Sequence, residues 1–391
     1  MARRALLKAI NRSIILNVVK RYGPIARADI ARLTKLSPAT VTSQTAELID
    51  DGLIYEKQEG DSRGGRPPIL LALTTSAIYV IGVKLTEAHI VLALTDLNAE
   101  IVAQNTLALQ STEPTQVADL MVGAINELLQ SANVPRKHLL GVGIGTAGII
   151  DSANGVVRMS PHTHWRDVAF AEIVEERLGL AVYLDNNVNT LTLLERLYGL
   201  GQHVDNFLVI TVGLGIGMGM VCNGKIYRGA SGGGGEFGHT VVDPDGLRCS
   251  CGNMGCLETL VADPWLVYRA KQAKLNVETP NDLVKSAQGG DETALRIFRD
   301  AGLTLGQSVA NLVNVFNPSM IIISGEGVRA GDFLFEPMRT AIRRHSFWKL
   351  DQEVDFRIEP LRDESWARGA ASLVLKRVFE TSETLTAAES G

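Results

Sequence analysis

The sequence predicts an α/β fold in which a small helical module precedes a larger body built from two similar halves. From Ile78 onward, short runs of β-branched residues alternate with stretches whose apolar residues recur at helical spacing, which is typical of an α/β body. Before Ile78, three short helical patterns are followed by strand-like runs around a glycine-rich turn. With 391 residues, the chain is long enough for two or three domains.

The first module is predicted to hold three helices. Apolar residues recur at helical spacing over residues 13–22, and Gly23-Pro24 ends that helix. A short amphipathic helix follows over residues 27–34. Ser37 can cap a third helix, with Pro38 at its first position. Two helices and a turn followed by a strand are the parts of a helix-turn-helix unit.

The third helix and the turn after it predict a DNA-binding surface. Its small hydroxyl and amide side chains suit base edges and phosphates. The later tip SRGGRPP is typical of a wing whose arginines reach phosphates or the minor groove. Residues 1–75 carry 12 Lys+Arg and 7 Asp+Glu, a net of +5, whereas the rest carries 26 and 36, a net of −10. The candidate DNA contacts are Ser37, Ala39, Thr40, Thr42, Ser43, Gln44, Arg63 and Arg66.

An alternative for this module is a small helical protein-interaction domain with a flexible linker over residues 63–68. The hydroxyl-rich third helix, the Arg-Gly tip and the positive charge together favour DNA.

The body contains a cluster of metal-binding residue types over residues 232–258. His239, Cys249, Cys251 and Cys256 lie within eighteen residues of one another. One histidine and three cysteines at short spacing suit a closed tetrahedral zinc site, although a redox cluster or three buried thiols are the alternatives. A disulfide framework is disfavoured because the long chain has only 4 Cys. The sequence therefore predicts structural Zn²⁺.

Composition narrows the class of protein. The chain is 46% hydrophobic and 21% charged, as expected of a globular protein in water. No apolar run approaches the roughly 20 residues that cross a bilayer, and the N-terminus lacks the pattern of a signal peptide. We therefore expect a cytoplasmic protein without a membrane partner.

Four segments of the body resemble the ROK family (repressor, open reading frame, kinase). They are GVGIGTAGIID at 141–151, LDNNVNT at 184–190, VGLGIGMGMVCNGKIYRGASGGGGEFGHT at 212–240 and CSCGNMGCLE at 249–258. The first module is similar to the winged helix of ROK repressors, so the resemblance covers residues from about 11 to 378. It implies a winged helix-turn-helix followed by a two-lobed actin/hexokinase-like (ribonuclease H-like) domain with a cleft between the lobes.

The resemblance also implies domain boundaries. The winged helix-turn-helix domain is expected over residues 1–75 and the first lobe over 76–195, joined by a C-terminal helix over 366–380. The second lobe, with the zinc motif, is expected over 196–365. The small polar residues of 381–391 predict a disordered tail.

By the same resemblance, sugar hydroxyls would be contacted by Asn186, Asn187, Glu236, His239 and Glu258. Carboxylates and amides suit this task because they form paired hydrogen bonds with neighbouring hydroxyls. His239 can bind zinc through one ring nitrogen and offer the other to the sugar. The alternatives are solvated surface acids at Glu236 and Glu258 and a simple turn residue at Asn187.

Three departures from the family's kinases argue against phosphoryl transfer. Lys84 stands where the kinases carry an Asp, within GVKLTEAH instead of an Asp-x-Gly-Gly-Thr turn. Asn187 stands at the catalytic Asp of Glu-Asn-Asp-x-Asn, and an amide cannot take a proton at neutral pH. Glu326 separates the glycines of the adenosine-side turn. We therefore predict no catalytic residues.

The combined pattern predicts a sugar-sensing repressor of carbohydrate-utilisation genes. A homodimer, or a dimer of dimers, would bind a palindromic operator in double-stranded DNA. A monosaccharide such as glucose or xylose would either release the operator, the commoner case in the family, or promote its binding. The alternative is an ATP-dependent hexose kinase with an appended DNA-binding domain. A third possibility is a DNA-binding protein whose body responds to no sugar, although the acids beside the His/Cys cluster argue against it.

Overall fold

The computed structural model describes residues 2–57, 68–361 and 363–379. The predicted wing arginines Arg63 and Arg66, and the predicted tail over 381–391, lie outside these residues.

The N-terminal module contains three helices against a small antiparallel sheet. Ser37 begins the third helix as predicted, because its Oγ accepts a hydrogen bond from the Thr40 backbone N at 3.1 Å and Pro38 occupies the first turn. The first helix starts well before the predicted residue 13. The sheet has the order β1-β3-β2. The elements are α1 (Ala2–Tyr22), β1 (Ile25–Ala26), α2 (Arg27–Thr34), α3 (Pro38–Asp50), β2 (Ile54–Lys57) and β3 (Leu70–Leu73).

The first half of the body is a five-stranded mixed sheet with the order β11-β7-β4-β5-β6. Strands β11, β7 and β4 are parallel to one another, whereas the β4–β5 and β5–β6 pairs are antiparallel. A small three-stranded sheet lies beside it. The elements are β4 (Tyr79–Leu85), β5 (His89–Thr95), β6 (Ile101–Ala108), α4 (Pro114–Ser131), β7 (Leu139–Thr146), β8 (Ile149–Asp151), β9 (Val156–Met159), β10 (Arg166–Val168), α5 (Phe170–Leu178), β11 (Ala181–Asn186) and α6 (Asn187–Tyr198).

The second half repeats this arrangement in a sheet with the order β14-β13-β12-β15-β16. Its strands β16, β15 and β12 are parallel, and β13 and β14 continue antiparallel. The repeat confirms the two similar halves that the sequence predicts. The elements are β12 (Phe207–Val212), β13 (Ile216–Cys222), β14 (Lys225–Ile226), α7 (Glu258–Val261), α8 (Asp263–Gln272), α9 (Pro280–Gln288), α10 (Glu292–Phe316), β15 (Met320–Ser324), α11 (Asp332–His345) and β16 (Asp355–Ile358).

The last helix, α12 (Asp363–Phe379), packs directly on the first sheet. Glycines make this close approach possible. A Cβ at Gly82 would fall 1.8 Å from the Ala367 carbonyl oxygen, and one at Gly143 would fall 1.9 Å from that of Ala370. Strands early in the chain are therefore covered by a helix from its end.

Helix α6 lies between α12 and the second sheet. On one side, a Cβ at Gly369 of α12 would fall 3.0 Å from the Thr190 backbone. On the other side, a Cβ at Gly219 of β13 would fall 1.9 Å from the Thr192 Oγ1. The glycines allow α6 to touch both halves of the body.

The predicted α/β class is confirmed. Strand β6 forms an edge of the first sheet, and its residues alternate between half-buried and exposed. Across the described ranges, no helix has both the length and the apolar character that crossing a membrane requires.

Candidate metal centre, ligand site and DNA-binding surface

The four predicted metal ligands converge at one point. The ligand atoms of His239, Cys249, Cys251 and Cys256 all lie within 4.8 Å of one another. The Cys249 Sγ is 3.6 Å from the His239 Nδ1, and the Cys251 and Cys256 Sγ atoms are also 3.6 Å apart. Tetrahedral zinc with Zn–S bonds of about 2.3 Å separates its ligands by roughly 3.8 Å. The cluster therefore has the donors and the spacing to hold such an ion.

Short backbone contacts fold the ligand loop around this point. Val241 pairs with Cys256, and Arg248 pairs with Met254, in isolated antiparallel bridges. Gly255 adopts φ +63°, and a Cβ there would fall 1.4 Å from the Asp243 carbonyl oxygen. Only glycine fits at this position, so the glycine is part of the geometry that presents the sulfur atoms.

Glu236 lies beside the histidine, at the ring nitrogen that does not face Cys249. The Glu236 Oε2 lies 3.9 Å from the His239 Nε2, while Nδ1 of the same ring faces Cys249. Burial raises the pKa of Glu236; nearby His239 opposes this shift and Glu258 adds to it. Glu258 accepts a hydrogen bond from the Ile216 backbone N at 3.2 Å. The loop that carries the candidate ligands thus places Glu236 beside the His239 Nε2, with Glu258 near enough to Glu236 to affect its pKa.

Asn186 and Asn187 lie at the turn where β11 leads into α6. The Asn186 Oδ1 caps the helix by accepting from the Val188 N at 2.8 Å, and its Nδ2 donates to the Gly148 O at 3.0 Å. The Asn187 Oδ1 accepts from the same Val188 N at 3.0 Å. Both amides are therefore oriented by backbone contacts at the beginning of α6.

A buried ion pair joins this turn to the second half of the body. The Asp185 side chain is 1% exposed, and its Oδ2 accepts from the Arg228 Nε at 2.8 Å and Nη2 at 2.6 Å. Its Oδ1 accepts from the Asn186 N at 2.8 Å and the Asn189 Nδ2 at 3.2 Å. The sequence offered no signal for this pair, because its members are 43 positions apart.

Arg228→Met is expected to lower the free energy of unfolding by about 3–5 kcal/mol, because the buried Asp185 carboxylate loses its counter-charge. Arg158→Met is the matched control: Arg158 is exposed and pairs with the exposed Asp167 and the half-buried Asp151, and these pairs should contribute about 1 kcal/mol or less. Denaturant unfolding measures both. Equal losses in the two variants would contradict the assignment of Asp185–Arg228 as a buried structural pair.

Lys84 lies in β4, and its positive charge is paired with Asp363. Its Nζ lies 3.2 Å from an Asp363 carboxylate oxygen and 5.2 Å from the centroid of the Trp366 ring. The Lys84 side chain is only 12% exposed. A lysine in this place supplies positive charge of its own and would repel a divalent cation.

Two acids lie near turns that, by the resemblance to ROK kinases, correspond to the nucleotide-binding turns. Glu87, after β4, lies 3.5 Å from the His162 Nδ1. Glu326 lies against the glycine turn that follows β12, where a Cβ at Gly213 would fall 2.2 Å from its Oε2. Carboxylates in these places oppose the approach of phosphate groups.

The exposed side of α3 differs from the predicted one at a single candidate. Ala39, Thr42 and Ser43 are exposed together with the cap residue Ser37, and Thr40 is half-buried. Gln44, predicted as a DNA contact, is buried at 7% exposure. That prediction is corrected, because a 100° step per residue places Gln44 on the same side as the buried Val41 and Leu48.

Sequence reasoning overlooked two residues of this surface. Ala46 is exposed on α3, one turn beyond Thr42. Lys35 is exposed in the turn before α3 and has left-handed backbone conformation at φ 60°. The basic residue before Ser37 was the available signal for Lys35.

Comparison with known proteins decides the family. A model of the ROK family matches residues 80–377 of this chain. The chain belongs to the ROK family. In addition, residues 10–55 match a model described as winged helix-turn-helix DNA-binding. The predicted fold, a winged helix-turn-helix followed by an actin-like ROK domain, is thereby confirmed.

ROK relatives of both functional kinds are similar to this chain. The xylose repressor of Caldicellulosiruptor bescii is 31% identical, over 98% of this chain and 100% of its own length. A ROK transcriptional regulator described as a homologue of the Escherichia coli MLC protein has a TM-score of 0.86 at 28% identity and covers 98% of this chain and 99% of its own. A ROK glucokinase from Streptomyces griseus, solved with glucose and AMPPNP, has a TM-score of 0.64 at 30% identity, covering 75% and 98%.

Proposed function

We propose that this protein is a sugar-responsive transcription repressor and not an enzyme. A homodimer binds a palindromic operator through the exposed side of α3. A monosaccharide, with xylose or glucose as the first candidates, binds in the cleft near Glu236, His239, Glu258, Asn186 and Asn187. Zn²⁺ held by the His/Cys cluster is structural, and the protein acts in the cytoplasm.

The observation that carries this proposal is the Lys84–Asp363 ion pair. Sugar kinases need an acid near this place to hold the metal that accompanies the nucleotide, and here a lysine paired with the last helix occupies it. Glu326 and Asn187 depart from the kinase pattern at two further points, on separate elements. By contrast, Glu236, His239 and Glu258 have carboxylate and imidazole groups that suit hydrogen bonds with sugar hydroxyls.

Similarity over nearly the whole length of a xylose repressor and of a ROK transcriptional regulator supports the same proposal. The glucokinase covers 75% of this chain, against 98% for the ROK transcriptional regulator. An alternative proposal, a kinase with an appended DNA-binding module, rests on that likeness alone.

The test is an operator-binding titration. A duplex selected by the protein from a random library is titrated by fluorescence anisotropy, with and without D-xylose, D-glucose or N-acetylglucosamine. We expect specific binding and a sugar that raises the operator Kd by roughly 5–150-fold, the usual range of such couplings. A folded, metal-loaded protein that binds the selected duplex no better than a scrambled one would refute the proposal.

Asn187→Asp tests whether the loss of the catalytic carboxylate alone explains the expected absence of kinase activity. We expect neither the wild type nor this variant to phosphorylate the three sugars above the background of a coupled ATP assay. The reason is that the added carboxylate restores a base, while Lys84 and Glu326 still oppose a metal-bound nucleotide. Sugar turnover by the wild type would instead favour the kinase alternative.

A further inference from the structure

The DNA-binding module and the body meet at a half-buried lysine. Lys20, in the last turn of α1, places its Nζ 3.7 Å from the centroid of the Tyr198 ring and 4.1 Å from that of the Phe379 ring. Burial lowers the pKa of Lys20 to about 8. We name this contact of Lys20 with Tyr198 and Phe379 the Lys20 junction.

Hydrogen bonds hold α1 in register at this contact. The Ser13 Oγ donates to the Phe379 carbonyl oxygen at 3.2 Å, and the Asn17 Nδ2 donates to the same oxygen. An Arg21 Nη2 lies 3.1 Å from the His203 Nδ1, just beyond the end of α6. The module is thus attached to two different elements of the body, namely the end of α12 and the end of α6.

Helix α6 connects this junction to the candidate sugar site. Its first residue is Asn187 and its last is Tyr198, so its 12 residues extend over about 18 Å at 1.5 Å per residue. The same rigid element therefore carries a candidate sugar contact at its beginning and a ring of the Lys20 junction at its end.

The two rings of the junction belong to helices with different neighbours. Phe379 ends α12, which packs on the first sheet through Gly82 and Gly143. Tyr198 ends α6, which also contacts the second sheet through Gly219 of β13. The second half therefore reaches α6 through β13, and it reaches the beginning of α12 because β16 ends at Ile358 shortly before α12 begins at Asp363. A movement that displaces the ends of α6 and α12 unequally would change the distance between the rings that hold the ammonium group.

We propose that the Lys20 junction transmits sugar occupancy from the beginning of α6 to the DNA-binding module. The inference rests on the proposed function and adds the physical path of regulation to it. A cation between two rings is sensitive to displacement, because its attraction requires the ammonium group to lie over the ring faces within about 6 Å. Lys20 is a positioning residue in this proposal, because it lies outside both the candidate sugar contacts and the exposed side of α3.

The experiment compares the wild type with Lys20→Met, which keeps a long apolar side chain and removes the ammonium group. The measured quantity is the coupling ratio, the operator Kd at saturating sugar divided by the operator Kd without sugar. D-xylose, D-glucose and N-acetylglucosamine are the probes. We expect the ratio to fall by at least about fivefold in the variant, while the sugar Kd measured without DNA by calorimetry stays within about twofold of wild type.

Three further variants make the result specific. Tyr198→Leu removes a ring of the junction and should reduce the ratio as Lys20→Met does, whereas Tyr198→Phe keeps the ring and should leave the ratio unchanged. Arg377→Met removes a second cation–ring contact of α12, the one with Tyr183 at 5.2 Å, and should also leave the ratio unchanged.

The outcomes separate this inference from the proposed function. A wild type that binds operator without responding to any sugar contradicts the proposed function and the path together. A wild type that responds, with Lys20→Met and Tyr198→Leu responding equally, overturns the path alone. If the folded Lys20→Met protein loses operator binding even without sugar, the junction orients the module and does not transmit occupancy, which also overturns the inference.

Discussion

Cys256→Ala is expected to remove the bound metal and to reduce sugar affinity by roughly 100-fold or more. Cys256 is fully buried, and its Sγ lies 3.6 Å from the Cys251 Sγ within the four-residue cluster. A metal bound by this cluster would tie together the loop that carries Glu236, His239 and Glu258. Metal binding in closed His/Cys sites contributes about 10–16 kcal/mol in small zinc domains. Residues that only hydrogen-bond to a metal ligand already change affinity or activity by about 10–100-fold, and Cys256 would be a direct ligand in the proposed site.

Metal content by mass spectrometry and sugar affinity by calorimetry measure this effect. Cys222→Ser is the matched control, because Cys222 ends β13 outside the four-residue cluster. This variant should retain the wild-type metal content and sugar Kd. A Cys256→Ala protein that still carries a full complement of metal would show that the ion is bound elsewhere. A different metal in the wild-type protein would contradict the proposal of zinc.

Ser43→Glu is expected to weaken operator binding by at least about 100-fold. Ser43 is exposed in the middle of α3, and a carboxylate placed there meets phosphates and base acceptors without a compensating donor. Like charges placed face to face at an interface cost several kcal/mol, and about 2.7 kcal/mol already corresponds to 100-fold.

Two control variants define the surface. Gln130→Glu adds the same charge at an exposed position of α4 and should leave the operator Kd within about twofold. Gln44→Met should do the same, because Gln44 is buried and its Oε1 has no hydrogen-bond partner within the residues that the structure describes. A strong loss of operator affinity in Gln44→Met with unchanged stability would restore Gln44 as a DNA contact.

Local patterns in the sequence predicted the parts of the site that are close together in the chain. The metal cluster could be predicted because its four ligands lie within one loop. The start of α3 could be predicted because Ser37 and Pro38 have a clear physical role at a helix N-terminus. The error at Gln44 had the opposite cause: residue type suggested a groove contact, while helical periodicity placed the side chain in the core.

Features that depend on distant parts of the chain could not be predicted in the same way. The Asp185–Arg228 pair joins the two halves of the body. The Lys20 junction brings together residues near the beginning, the middle and the end of the chain. A lysine in an amphipathic helix is normally solvated, and only the folded arrangement reveals that two aromatic rings enclose it.

Because α12 covers the first sheet, the body can complete its fold only at the end of synthesis. Synthesis at about 5–20 residues per second delivers β3 of the DNA-binding module roughly 15–60 s before Phe379, given the some 300 residues between them. Until then, β4 and β7 lack the helix that Gly82 and Gly143 admit. We expect chains truncated before Asp363 to be degraded by proteases. The cell would then accumulate no DNA-binding fragments that cannot respond to sugar.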